Sequence, residues 1–79
     1  MRVISEIKTC EDWMLKVSFT DGAVRLYDVK PLLASEAFTE LKDPNLFKRV
    51  RNCSYFIEWE NEADLSSDTL YLEGKAVSH

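Results

Sequence analysis

Apolar and polar residues alternate most regularly along residues 13–20, and a period of two places the apolar set on one face of a β-strand. Asp21 and Gly22 follow, and this pair is favoured at the two central positions of a type I′ hairpin turn. The chain returns as a strand over residues 23–28, with Leu26 expected in the core. We therefore predict a β-hairpin of strands 13–20 and 23–28. The inward-facing set of its first strand consists of Trp13, Leu15, Val17 and Phe19.

Two weaker strand patterns lie near residues 3–8 and residues 55–60. In the second of these, Tyr55, Ile57 and Trp59 alternate with partly polar neighbours, which is typical of a half-buried strand. Together with the hairpin, these segments predict a small, mainly antiparallel sheet of about four strands.

Helix start and stop signals predict two or three short helices packed on this sheet. A helical turn is expected near residues 28–34, where a proline follows the second hairpin strand. Asp43 is a favourable N-cap for a helix over residues 44–50, because the proline after it fits the first helical position. Ser66 is a natural N-cap for a last helix that Gly74 ends.

The length of 79 residues predicts one domain over residues 1–79, with a folded core over 1–74 and a frayed end over 75–79. The fold class expected from these elements is α+β. The predicted core consists of Leu15, Val17, Phe19, Leu26, Leu41, Phe47, Ile57 and Leu70.

Composition narrows the function classes. The formal net charge of -4 disfavours direct nucleic-acid binding, because phosphate contacts need clustered lysine and arginine. No apolar run approaches the ~20 residues of a membrane-spanning helix, and the first residues lack the apolar core of a signal peptide. We expect a cytoplasmic protein without a membrane partner. Cys10 and Cys53 match no metal or redox spacing, so both thiols are expected to be free.

The residues needed for catalysis do not occur together in this sequence. The lone histidine is His79, the final residue, and a chain end holds an imidazole poorly for general-base chemistry. We therefore predict no enzyme activity, no catalytic residues and no cofactor. Glu58 and Glu60 would share one face of a strand and could bind a hard cation, which is the alternative reading of this pair. Alternating glutamates on a strand are far more often a solvent-exposed face, so no metal site is predicted.

Two oppositely charged segments are the candidate binding residues. Basic and acidic patches on one small protein can steer a partner of complementary charge. We therefore expect contact with a partner through surface charge and not through a pocket. The residues concerned are Lys48, Arg49 and Arg51 in the basic segment and Glu58, Glu60 and Glu62 in the acidic segment.

The chain as a whole resembles a bacterial family described as domain of unknown function 2442, over residues 3–71. No single motif is specific, but their order and spacing together are. The matching segments are Leu15-Lys16-Val17-Ser18-Phe19, Asp21-Gly22, Arg25-Leu26-Tyr27-Asp28, Pro31-Leu32-Leu33, Phe38 with Leu41, Asp43-Pro44 with Phe47, Ile57-Glu58-Trp59 and Asp64-Leu65-Ser66-Ser67-Asp68-Thr69-Leu70-Tyr71.

The resemblance implies a compact α+β domain with a mainly antiparallel sheet and no catalytic residues to transfer. Longer members of the family carry a helix-turn-helix DNA-binding segment, and this chain ends soon after Tyr71, so we expect no such extension. The family's genes often lie beside another small gene, as in toxin–antitoxin pairs. The favoured hypothesis is a protein-interaction module, an acidic antitoxin-like partner of a small basic protein, either monomeric or homodimeric. The rivals are a scaffold that assists a DNA-binding partner and a small carboxylate-based metal binder.

Overall fold

The computed structural model of the chain describes residues 2–77, and these form seven strands, two short α-helices and three 3₁₀ turns. The strands in chain order are β1 (Ile4–Cys10), β2 (Met14–Phe19), β3 (Val24–Asp28), β4 (Arg51–Asn52), β5 (Phe56–Glu58), β6 (Asp64–Ser66) and β7 (Lys75–Ala76). The helices are α1 (Pro44–Phe47) and α2 (Ser67–Glu73), and single 3₁₀ turns occupy Glu11–Trp13, Lys30–Ala34 and Thr39–Lys42. Within this part of the chain, no helix is long and apolar enough to span a bilayer.

These strands form two antiparallel sheets, which confirms the α+β class. The first sheet has four strands in the order β1-β2-β3-β7, and the second has three in the order β4-β5-β6. The strand predicted over residues 55–60 is shorter than expected and belongs to the second sheet. Its partners flank it closely in sequence, so this pairing requires only short loops to close.

The hairpin between β2 and β3 has a three-residue loop, so the predicted two-residue turn at Asp21 and Gly22 is wrong. The backbone N–H of Phe19 donates to the Ala23 carbonyl at 2.9 Å, and that of Gly22 donates to the Phe19 carbonyl at 3.0 Å. Gly22 has a φ of +91°, whereas Asp21 is not among the residues with positive φ. This is a type I turn followed by a left-handed glycine, the usual three-residue hairpin connection.

The extra loop residue changes which face of β3 is buried. Leu15 pairs with Tyr27 and Val17 pairs with Arg25, whereas a two-residue loop would have placed Val17 opposite Leu26. Because a slip of one residue exchanges the two faces of a strand, Leu26 lies on the outer face and is only half-buried. The other predicted core residues are all buried, and Tyr27 replaces Leu26 in the core.

An aromatic cluster joins the second sheet to α1. Trp59 is fully buried, and its ring stacks on that of Phe47 with centroids 6.1 Å apart. The Trp59 indole N–H donates to the Phe47 carbonyl at 2.9 Å, so the buried polar atom of this large side chain is satisfied. Trp13 approaches Phe47 from another side, with centroids 6.4 Å apart.

Both predicted N-caps are confirmed, although α1 is shorter than expected. The Asp43 carboxylate accepts from the backbone N–H of Asn45 at 2.9 Å, and the Ser66 hydroxyl accepts from that of Thr69 at 3.1 Å. The helix predicted over residues 44–50 ends at Phe47, because the chain must extend again to form β4.

The end of the chain departs from the expected frayed segment over 75–79. Lys75 and Ala76 form β7 and pair with Leu26 and Arg25, so fraying is wrong for these two residues, while 78–79 lie outside the described part. Gly74, the residue before β7, is required because a side chain there would clash with α2, and not because the backbone is left-handed. Gly74 has an extended φ of -73°, and a Cβ there would overlap the carbonyl oxygen of the helix residue four positions earlier.

Candidate interaction surface

The structure brings the predicted basic and acidic segments together at the second sheet. Arg51 lies in β4 directly opposite Glu58 in β5, and the Arg51 Nη2 and Glu58 Oε1 atoms are 2.6 Å apart. The Arg49 Nε and Glu60 Oε1 atoms are 3.4 Å apart. Four of the predicted binding residues therefore neutralise one another across strand and turn instead of forming two separate patches.

The remaining two predicted binding residues stand outside these pairs. Lys48 is the exposed C-cap of α1, and Glu62 lies in the turn after β5 with a φ of +71°. Neither makes an ion pair with another residue of the described range 2–77. Glu62 is the member of the acidic segment whose charge is available to a partner.

Two exposed aromatic residues at this sheet were missed by the sequence-based prediction. Tyr55 is 51% exposed and Phe56 is 38% exposed. Phe56 pairs with Ser66 in β6 and lies out of phase with the buried Ile57, so its ring points away from the core. The alternation around Ile57 was the available signal, because it assigns Phe56 to the solvent side.

We call this surface the outer face of the second sheet. Residues directly opposite each other in an antiparallel ladder share one face, so the strand pairings define its membership. The outer face comprises Arg51, Phe56, Glu58, Asp64 and Ser66, and the exposed Tyr55 immediately precedes it in the chain.

A second charged cluster lies at the end of the first sheet. The Lys30 Nζ atom is 3.0 Å from a carboxylate oxygen of Asp12 and 3.0 Å from one of Asp28. Burial acts to raise the pKa of Asp28, but the backbone N–H and the ammonium group of Lys30 outweigh it, so this pKa lies below its ordinary value. The cluster ties the β1–β2 turn to the end of β3, which is a structural role.

A shallow cleft of about 230 Å³ lies beside the β1–β2 turn, between Trp13 and α1. Asp12 and Trp13 both have left-handed backbone angles, with φ of 62° and 57°. The Trp13 indole donates to the Leu41 carbonyl at 2.6 Å, which helps to hold this strained turn in place. Cys10 is exposed at the rim of the cleft, and both cysteine thiols are free, as predicted.

The carboxylates of the acidic segment do not converge on one point. Glu58 is the last residue of β5, while Glu60 lies in the following turn, and each carboxylate faces a different arginine. Within residues 2–77, no group of three or more potential metal-ligating side chains comes together.

Fold and surface together define a small α+β domain with two antiparallel sheets and a mixed aromatic and charged face. The chain belongs to the family described as "Protein of unknown function (DUF2442)", whose model matches residues 4–76. No curated protein and no solved structure matches the chain.

Proposed function

We propose that this chain is a non-enzymatic protein-interaction module that binds a basic partner protein through the outer face of its second sheet. The observation that supports this proposal is the exposed ring of Phe56 on the same face as the ion pair of Arg51 with Glu58, with a second exposed ring, Tyr55, just before it in the chain. Protein interfaces combine an aromatic centre with a polar rim in this way.

The charge around these rings favours a basic partner. Between residues 48 and 68 the sequence carries five carboxylates against three cationic side chains. Two of the cations already pair within the chain, which leaves three exposed carboxylates against Lys48: Asp68 on α2, Asp64 in β6 and Glu62 in the turn between β5 and β6. Such rim charges mainly raise the association rate with an oppositely charged protein.

The finer form of the proposal is an acidic, antitoxin-like member of a two-gene pair in the bacterial cytoplasm. The net charge of -4 and the acidic edge of the outer face suit a small basic partner. No particular observation favours the rival functions, a scaffold for a DNA-binding partner or a metal binder based on Glu58 and Glu60.

The first test is affinity purification from the source organism with three baits: the wild type, the double variant Tyr55→Ser/Phe56→Ser, and Leu72→Ser. Leu72 is the matched control, because it is 78% exposed but lies on α2. We expect one basic protein to co-purify in stoichiometric amount with the wild type and the control and to be lost with the double variant. Equal recovery with all three baits would exclude the outer face as the binding surface.

The second test measures association rates with that partner at low and high salt. Reversing Glu58 or Glu60 would set a lysine against an arginine, so the reversal is made at Glu62 and Asp64 instead. Glu62→Lys/Asp64→Lys should slow association and flatten its salt dependence. The control, Glu36→Lys/Glu40→Lys, changes the net charge equally at exposed positions elsewhere. Equal slowing by both variants would mean that only net charge matters and would refute a specific acidic edge.

A further inference from the structure

Strand β1 lies at an edge of the first sheet, and most of its outer edge is open. Only its first residue makes backbone contacts beyond the sheet: Ile4 N–H donates to the Ser54 carbonyl at 2.7 Å, and the Asn52 side chain donates to the Ile4 carbonyl at 3.0 Å. From there to Cys10, no residue between 2 and 77 covers that edge with a backbone hydrogen bond. An open strand edge is a template for pairing with another strand.

The ladder shows which backbone groups point to this open edge. Neighbouring residues of a strand direct their N–H and C=O groups to opposite edges. The backbone N–H of Phe19 donates to the Ala23 carbonyl on the β3 side. The odd-numbered residues of β2 therefore make their backbone hydrogen bonds to β3, and its even-numbered residues make theirs to β1. From Glu6 onward, even-numbered residues of β1 pair with even-numbered residues of β2. The outward-pointing residues after Glu6 are therefore Ile7 and Thr9, while a β-bulge between Ile4 and Glu6 interrupts the alternation at Ser5.

The side chains of β1 favour a second copy of the same strand in one register. A symmetric antiparallel pair keeps like faces together, so its two-fold axis lies at a residue and not between two residues. Only an axis at Glu6, Ile7 or Lys8 sets three or more residues of the stretch 5–9 opposite the same stretch of the other copy. Centring on Glu6 sets two glutamates opposite each other. Centring on Lys8 sets two lysines opposite each other. Centring on Ile7 sets each Glu6 opposite the Lys8 of the other copy.

We propose that two copies of this chain pair antiparallel along β1 about a two-fold axis at Ile7. The two four-stranded sheets then join into one continuous sheet. The central pair of Ile7 residues supplies two backbone hydrogen bonds, since each Ile7 both donates and accepts, and Thr9 of each copy lies opposite the bulged Ser5 of the other. Glu6 and Lys8 fall at the non-hydrogen-bonded positions, where opposing Cα atoms approach to about 4.5 Å and side chains interact most closely.

This interface is separate from the outer face of the second sheet. Glu6 and Lys8 already form an ion pair within one chain, with 3.3 Å between Oε1 and Nζ, and their side chains are 57% and 66% exposed. In the dimer each Glu6 also faces a Lys8 of the other copy, so no charge is buried without a partner. Homodimerisation along β1 is therefore compatible with partner binding elsewhere on the molecule.

The experiment is sedimentation equilibrium of charge variants over a wide range of protein concentrations. We expect the wild type to dimerise, and Glu6→Lys and Lys8→Glu each to weaken the dimer about tenfold or more, because each sets two pairs of like charges face to face. An equimolar mixture of these two variants should form a heterodimer, and Glu6→Lys/Lys8→Glu in one chain should dimerise again. Lys75→Glu, at the opposite edge of the same sheet, is the matched control and should dimerise like the wild type.

Each outcome is decisive because both substituted side chains are exposed and contribute little to the fold. Recovery of association in the mixture and in the double variant would support pairing of Glu6 with Lys8. A wild-type protein that is monomeric at about millimolar concentration, where even weak specific pairs associate, would overturn the proposal. Single variants that dimerise as strongly as the wild type, or a mixture that stays monomeric, would overturn it equally.

Discussion

Replacing Phe47 by alanine should severely destabilise this protein, because Phe47 joins α1 to both sheets. Its side chain is 4% exposed, stacks on Trp59 and makes a tilted contact with Trp13. Its carbonyl also receives the Trp59 indole, so movement of the helix would disturb a buried hydrogen bond. The change removes two aromatic contacts together with the buried ring.

The expected loss is about 3–5 kcal/mol for a buried phenylalanine cut to alanine. Total stability for a chain of this size is on the order of 5 kcal/mol, so Phe47→Ala should retain only about 0–2 kcal/mol, and at the lower end about half of it would be unfolded at room temperature. Phe47→Leu keeps most of the volume but loses the aromatic geometry, and it should cost about 1–2 kcal/mol. This milder variant keeps the measurement possible if the alanine variant does not fold.

The assay is urea denaturation followed by far-ultraviolet circular dichroism, with Leu46→Ala as the control. Leu46 lies beside Phe47 in the same helix but is only half-buried, so its truncation should cost clearly less. If Phe47→Ala unfolds cooperatively within about 1 kcal/mol of the wild type, the aromatic cluster does not hold the sheets together. Because alanine is the best helix former, equal losses at Leu46 and Phe47 would instead indicate a general effect of truncating apolar side chains, independent of the aromatic contacts.

Three further predictions test local features. Gly22→Val should cost about 1–2 kcal/mol in thermal melts, because a valine at φ of +91° is strained although nothing crowds its Cβ; an unchanged melting temperature would refute the loop geometry. A thiol reagent should modify exposed Cys10 faster than half-buried Cys53 in the native protein and both when denatured, whereas recovery of no free thiol would reveal a disulfide. In an NMR titration the Asp28 carboxyl should show a pKa below its ordinary value, so its contribution to stability is present at neutral pH and is lost as the pH falls through that lowered pKa. Lys30→Met should raise the pKa of Asp28, and an unchanged pKa would refute the contribution of the Lys30 ammonium group.

Features that depend on local chemistry could be predicted from the amino-acid pattern alone. Alternation identified β2 and its buried residues Leu15, Val17 and Phe19, although Trp13 lies in the preceding 3₁₀ turn and is only half-buried. Asp43 and Ser66 identified the starts of both α-helices, because capping requires only side chains a few residues apart. The order of the motifs also identified the family that the model match establishes. The charged segments 48–51 and 58–62 were predicted as separate basic and acidic patches, and nothing in the sequence indicated that they lie against each other.

Features that depend on strand register and on contacts between distant segments became visible only in the folded chain. One additional loop residue exchanged Leu26 for Tyr27 in the core, since strand faces alternate at every residue. Pairing of β4 with β5 converted the basic and acidic segments into ion pairs and exposed Phe56 beside them. Pairing of β7 with β3 ordered Lys75 and Ala76, which the sequence alone would have left frayed. These outcomes depend on which backbone groups remain open for hydrogen bonding after the rest of the chain has folded, and no local pattern of residues contains that information.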